Sequence, residues 1–172
     1  MSDGLIRDWL FTVLDNEGKP TDTQGIATEL DLGSLKIAHD TDKRAGAYGV
    51  VALPQTPDEM EVSVSTIGMT EELHNALLSG VSGEISLQFN GVEENPETGT
   101  SKAIKIVLRG SIGSIPFGSY TAQSNAEFEF TMMVNFIDRL WGTSRFIYDP
   151  RNYRWDVNGK NLLAAKKAAL GV

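Results

Sequence analysis

Apolar and polar residues alternate along much of this chain, and the longest such stretch runs from Glu127 to Phe136. Successive side chains of a strand point to opposite faces of a sheet, so this pattern predicts a long strand with one buried and one more polar face. The predicted buried set is Phe128, Phe130, Met132, Val134 and Phe136.

Three further segments show the same alternation and are predicted as half-buried strands. They are Met60–Val64, Ile85–Phe89 and Ile104–Leu108. Weaker strand candidates lie at Leu10–Leu14, Leu35–Ala38, Tyr48–Leu53 and Arg145–Tyr148. Strands with one wet face are typical of antiparallel sheets, so the sheet is predicted to be antiparallel.

One helix is predicted between the strands Met60–Val64 and Ile85–Phe89. Thr70 is a suitable N-cap, two glutamates follow it at the positive end of the helix dipole, and Leu73 and Leu77 share a face. Gly80 is expected to end the helix. The segment 162–170, LLAAKKAAL, has helix-forming composition, but at a chain end both fraying and docking stay open. The sequence therefore predicts one mainly β domain over residues 1–172 with one short α-helix.

Composition narrows the class of protein. The chain has 172 residues, 41% of them hydrophobic, and no cysteine. No apolar window resembles a membrane span or a secretion signal, so we expect a protein without a membrane anchor that is made in a reducing cytoplasm. The net charge of −8 argues against a protein that grips nucleic-acid phosphates. Residues 1–137 carry a balance of −12 and residues 138–172 one of +4, which suits head-to-tail contact between copies.

Candidate chemistry is sparse. His39 and His74 lie far apart in sequence, and no further ligand accompanies His74 at metal-binding spacing. The run Asp40–Asp42 lacks the glycine and closing glutamate of a calcium loop. No serine stands in a nucleophile elbow, and the glycines after Arg109 fit neither a dinucleotide fingerprint nor a P-loop. The sequence predicts no catalytic residue, no metal site and no cofactor, hence a structural or binding module.

The last two thirds of the chain resemble a known family. The matching pieces, in order, are Leu108–Gly110, Ile115, Gly118, the long strand ending at Phe136, Tyr148–Asn152, Asn158–Gly159, Leu163–Ala164 and Leu170–Val172. Over about Ala45 to Val172 they resemble the major tail tube protein of contractile-tailed bacteriophages and R-type contractile bacteriocins. Asn161 departs from the family, which usually carries an acid there.

This resemblance implies an antiparallel β-sandwich or partly open barrel that assembles as a hexameric ring. Rings would stack into a hollow inner tube inside a contractile sheath, and DNA would pass through the lumen without specific binding. The implied partners are further copies of the chain, the sheath protein, the baseplate or tube initiator and the tail terminator. The implied location is the virion tail, and the protein would not be an enzyme.

Site residues follow as expectations. Gly-rich, weakly charged backbone suits close approach to another subunit or ring, and Asp40–Pro57 resembles the loop that reaches an adjacent subunit. The expected subunit or ring contacts are Arg44, Gly46, Tyr48, Gly49, Arg109, Gly110, Gly113 and Gly118. The expected lumen residues, acidic or small and polar, are Glu61, Ser63, Ser65, Glu127, Glu129 and Thr131.

Other functions stay open at this point. A type VI secretion inner tube would share the fold and act on effectors instead of DNA. A monomeric β-barrel that binds a small ligand, or a hydrolase that uses carboxylates, would need a deep pocket with convergent polar groups.

Overall fold

The computed structural model describes residues 5–43 and 48–171. Eleven strands and two α-helices lie in the described residues, in the order β1 (Leu5–Leu14), β2 (Ala27–Asp31), β3 (Ile37–Asp42), β4 (Val51–Pro57), β5 (Met60–Ile67), α1 (Glu71–Ser79), β6 (Ile85–Glu94), β7 (Ser101–Ser114), β8 (Glu127–Trp141), β9 (Ser144–Asp149), β10 (Arg154–Val157), β11 (Lys160–Asn161) and α2 (Ala164–Leu170). A single 3₁₀ turn, Pro150–Asn152, separates β9 from β10.

Nine strands form one sheet that forks at β8. One edge of β8 pairs with β7, while the other edge is shared. Residues Glu127–Val134 of that edge pair with β5, which in turn pairs with β2. Residues Ile137–Trp141 pair with β9, which leads to β10 and β11. On the far side, β7 pairs with β6 and β6 with β1.

Every pairing among the described strands is antiparallel, as predicted. The sheet does not close into a barrel. Within residues 5–43 and 48–171, strands β3 and β4 pair only with each other and form a separate two-stranded sheet, which we call the arm. The mainly β, antiparallel class is thus confirmed, whereas assembly into a hexameric ring stays a prediction.

The core lies on one face of the sheet, beneath α1. Alternate residues of β5, β6, β7 and β8 supply it, together with Phe11 and Val13 of β1 and the buried face of α1. Thr70 caps α1 as predicted, since its hydroxyl accepts a hydrogen bond of 3.2 Å from the Leu73 amide. Gly80 ends the helix. The prediction of one α-helix was wrong, because 164–170 forms a second helix at the chain end.

One position of the predicted core pattern is also wrong. A register shift in the β7–β8 pairing sets Gly110 opposite Val134 but Arg109 opposite Phe136. This bulge reverses the alternation, so Phe136 turns to the outer face and Ile137 takes its place in the core. The Arg109 guanidinium lies 3.8 Å from the centre of the Phe136 ring.

Candidate assembly and lumen surfaces

The predicted lumen residues lie together on the outer face of the β5–β8 pair. Ser63 is directly opposite Thr131, and Ser65 is opposite Glu129. Glu61 and Glu127 follow on the same face, opposite Met133 and Ile67. The pairing therefore brings the three predicted residues of β5 together with the three of β8, which lie more than 60 positions further along the chain, and both strands have the polar side that the sequence predicted. The location of this face in a lumen stays a prediction.

Strand β2 adds two carboxylates that the sequence did not reveal. Glu29 pairs with Ser65 and Asp31 with Ser63, so both side chains share the outer face. The three segments β2, β5 and 127–134 of β8 contain no lysine or arginine. We call this surface the acidic face, and its carboxylates are Glu29, Asp31, Glu61, Glu127 and Glu129.

The hydroxyl groups on the acidic face are held in place locally. Ser114, at the end of β7, lies opposite Thr131. The two hydroxyl oxygens are 3.0 Å apart, and Ser114 Oγ also accepts a hydrogen bond of 3.1 Å from the Thr131 amide. A cavity of about 510 Å³ lies beside them, between Glu29, Glu129 and the loop at Phe117. Phe117 itself is 86% exposed.

Three of the five predicted contact glycines are required within the subunit. A Cβ on Gly110 would overlap the Met133 carbonyl oxygen and lie 2.8 Å from its carbonyl carbon. A Cβ on Gly113 would come 2.7 Å from Thr131 Oγ1. Gly118 has φ +86°, and its Cβ would come 2.6 Å from the Phe128 ring. The close approach inferred from sequence is therefore made by the chain to itself at all three glycines, and their role as subunit contacts stays a prediction.

The remaining predicted contacts lie on the arm and on β7. Tyr48 is fully exposed, and Gly49 has φ +123°, a conformation that side chains rarely adopt. Arg44 and Gly46 lie outside the described residues. Arg109 is on the outer face of β7, stacked on Phe136. Within the described ranges, no hydrogen bond, ion pair or ring contact joins Tyr48 or Gly49 to Arg109.

Charge is separated along β8. The acidic face includes residues 127–134 of β8. The other half of β8 pairs with β9, which leads to β10 and β11, and these strands and α2 contain most of the C-terminal cations. Three of those arginines form ion pairs within the subunit, and these pairs are Arg145 with Asp138, Arg151 with Glu84 and Arg154 with Asp156. The Arg145 guanidinium donates two hydrogen bonds to the Asp138 carboxylate, and these are the main cause that raises the pKa of Arg145. Burial raises the pKa of Tyr148.

Residues 5–43 and 48–171 contain no group of three or more His, Asp or Glu side chains that could hold a metal ion. Neither of the helices described there is long and apolar enough to cross a membrane.

One protein family matches this chain. A family model described as phage tail tube protein FII matches residues 16–171. A search of curated protein sequences finds no match.

The solved structures that match this chain have low sequence identity to it. The sheath/tube terminator of an extracellular contractile injection system, PVC, is 15% identical with a TM-score of 0.48, covering 76% of this chain and 92% of that one. The tube-terminating cap of the anti-feeding prophage is 16% identical with a TM-score of 0.46, covering 76% and 87%. A chain of the PVC sheath-tube complex is 14% identical with a TM-score of 0.45, covering 76% and 88%.

Proposed function

Because this chain belongs to the phage tail tube protein FII family, we propose that it forms the inner tube of a contractile phage tail by stacking of homohexameric rings. The observation that carries the proposal is the match of the family over residues 16–171, a range that contains every described strand except β1, together with both α-helices. The resemblance to tail tube proteins drawn from the sequence is thereby confirmed. The tube acts as a passive conduit for DNA and catalyses no reaction.

The acidic face is proposed to line the lumen. Its five carboxylates, without a lysine or arginine in the three strand segments, repel the phosphates of DNA. Affinity for phosphates comes from cations that displace counterions, and this surface offers none. DNA therefore slides along it without being held.

Open strand edges support assembly with further copies. One edge of β1 pairs with β6, and the segment 20–23 hydrogen-bonds the other edge only near Phe11 and Val13. Among the described residues, Leu5–Leu10 pairs with β6 alone. Strand β2 likewise pairs with β5 alone among the described strands, so its second edge is open. Exposed edges of this kind invite pairing with another chain. In a ring, a neighbouring copy covers them.

The proposed partners surround the tube at its wall and its two ends. The sheath protein encloses the wall, the baseplate or tube initiator starts polymerisation, and the tail terminator ends it. We place the contact residues Arg109, Gly110, Gly113 and Gly118, and the arm with Tyr48 and Gly49, at interfaces within or between rings. The protein is made in the host cytoplasm and ends in the virion tail.

Negative-stain electron microscopy with sedimentation tests the assembly. We expect six-fold rings or hollow tubes, formed by the purified chain or with native tail components. Compact particles near the subunit mass of 18.7 kDa under all these conditions would refute the tube.

Thiol labelling tests the lumen separately, since the chain contains no cysteine. A Ser63→Cys variant should react with a small maleimide in both tubes and free subunits. A maleimide on a large globular carrier should label only the free subunits, because the carrier cannot enter the bore. Equal labelling of tubes and subunits by the large reagent would place Ser63 on the outside and overturn the lumen assignment.

A further inference from the structure

The core face of the sheet is left open along the C-terminal half of β8. Arg139 pairs with Ile106 on one side and Phe146 on the other, so its side chain projects from the face that is otherwise core. Two adjoining cavities, of about 410 and 380 Å³, share Arg139 and Phe146 in their walls. We call them together the Arg139 groove. The walls are largely apolar and include Leu32, Leu35, Ile106, Ile137, Phe146 and Trp141.

The groove carries positive charge at Arg139, and the carboxylate beside its Trp141 end, Glu93, accepts a hydrogen bond of 2.7 Å from Trp141 Nε1 and lies opposite Lys102 on the sheet. Arg139 makes no ion pair in the described residues, and its guanidinium lies 4.7 Å from the centre of the Trp141 ring. Lys102 adds a second cation at the Trp141 end, and no aspartate or glutamate lines either cavity. Trp141 is 44% exposed. Such a surface fits a ligand that presents a carboxylate next to aliphatic side chains.

The arm of the same protein has a face with this chemistry. In the β3–β4 pairing, Asp40 is opposite Leu53 and Asp42 is opposite Val51. These four side chains therefore share one face, with two carboxylates beside two aliphatic groups. Asp40 is exposed. In the described residues its carboxylate accepts a single hydrogen bond, from the amide of the next residue, Thr41. The arm pairs with no other strand among the residues that the structure describes.

We propose that the acidic face of the arm docks in the Arg139 groove of a second copy, with Asp40 paired to Arg139. The aliphatic Leu53 and Val51 then cover the apolar walls near Ile106. This inference rests on the proposed function and adds to it the surface that receives the arm. Each copy gives one arm and receives one, which is a heterologous contact that closes into a ring or continues as a stack.

Charge reversal tests the pairing. Arg139→Glu places like charges together, and we expect it to raise the subunit concentration needed for assembly at least about tenfold. Asp40→Arg should have the same effect, while the double variant D40R/R139E should recover assembly. Lys105→Glu is the matched control, because Lys105 lies on the neighbouring strand with its side chain on the opposite face. Thermal unfolding of each variant shows whether the subunit itself is folded.

The outcomes separate this inference from the proposed function. Normal tubes from Arg139→Glu, or no recovery by the double variant, would overturn the docking while leaving the tube intact. A wild-type chain that never forms rings or tubes would overturn the proposed function instead.

Crosslinking gives a second, independent readout in the cysteine-free chain. Asp40→Cys and Arg139→Cys are made in separate chains, mixed, assembled and treated with a short bis-maleimide. A product of about twice the 18.7 kDa subunit mass is expected from this mixture and not from Asp40→Cys mixed with Lys105→Cys. Equal yields from the two mixtures, or no product from the first, would refute the docking.

Discussion

The substitution Gly110→Ala gives a sharp test of how the sheet is built. Gly110 lies at the β7–β8 bulge, where an added Cβ would overlap the Met133 carbonyl oxygen. A methyl group inserted into a packed core typically costs about 1–3 kcal/mol. Here the obstructing atoms belong to the backbone of β8, so the overlap is relieved only when that backbone moves. This movement breaks hydrogen bonds of the ladder around Met133. Each backbone bond lost adds about 1 kcal/mol.

We therefore expect Gly110→Ala to lower the free energy of unfolding by about 3–5 kcal/mol, a large share of the 5–15 kcal/mol typical of a domain. The melting temperature should fall by roughly 10 °C for a chain of this size. Urea unfolding of the dilute subunit, followed by circular dichroism, measures the change. Gly18→Ala is the control, because its Cβ would meet open space and only the positive φ of +82° costs about 1 kcal/mol.

The result that would refute this reasoning is an unchanged unfolding midpoint for Gly110→Ala together with a loss of tube assembly. That combination would return Gly110 to the role expected from the sequence alone, in which a larger residue such as valine impairs assembly more than folding of the subunit. A drop in subunit stability larger than in Gly18→Ala supports the intramolecular account.

Two further substitutions test local features of the subunit. Thr70→Ala removes the hydroxyl that caps α1 and should cost about 1 kcal/mol in urea unfolding, whereas Thr70→Ser should retain most of it; equal stability of the two variants would contradict the capping role. Burial raises the pKa of Tyr148 above its ordinary value of 10.0, so its hydroxyl ionises at lower pH in the unfolded chain than in the folded one. The stability that this group contributes is fully present below about pH 10 and is lost as pH rises through the folded pKa. Tyr148→Phe should therefore lose less stability than wild type between about pH 9 and 11, and parallel pH profiles would contradict this.

Much of the sheet could be predicted because its strands are half-buried. Strands β5, β6, β7 and the first part of β8 each alternate strictly, so the sequence identifies both the strand and its wet side. The N-cap of α1 was predicted for a similar reason, since a hydroxyl followed by two acids and spaced leucines is a local signal. These features depend on neighbours close in sequence.

The features that were missed depend on long-range pairing. Strand β2 has only five residues and no regular alternation, and it became visible only through its pairing with β5. The exchange of Phe136 for Ile137 comes from a bulge whose partner, Gly110, is over 20 residues away. The position of Arg139 depends on the same bulge. Once the alternation is shifted by the bulge, it stands on the core face between Ile106 and Phe146.

The candidate site was predicted in its parts but not in its arrangement. The six expected lumen residues do share one face, because β5 and β8 pair in register over eight residue pairs. The carboxylates of β2 on that face were missed together with the strand. The contact glycines were identified as positions of close backbone approach, and the sequence could not show that the approaching atoms belong to the same chain.

The fork of the sheet at β8 has a consequence for synthesis. Strand β5 ends at Ile67, but the partner that completes it begins only at Glu127, and β9, which shares the same edge, ends at Asp149. At bacterial and eukaryotic elongation rates of about 5–20 residues per second, the 60 residues between Ile67 and Glu127 take roughly 3–12 s to emerge. During that interval β5 lacks its β8 partner on a growing polypeptide. Neighbouring ribosomes on one message then carry the same incomplete sheet, and an unpaired strand edge of this kind is prone to pair with another nascent chain.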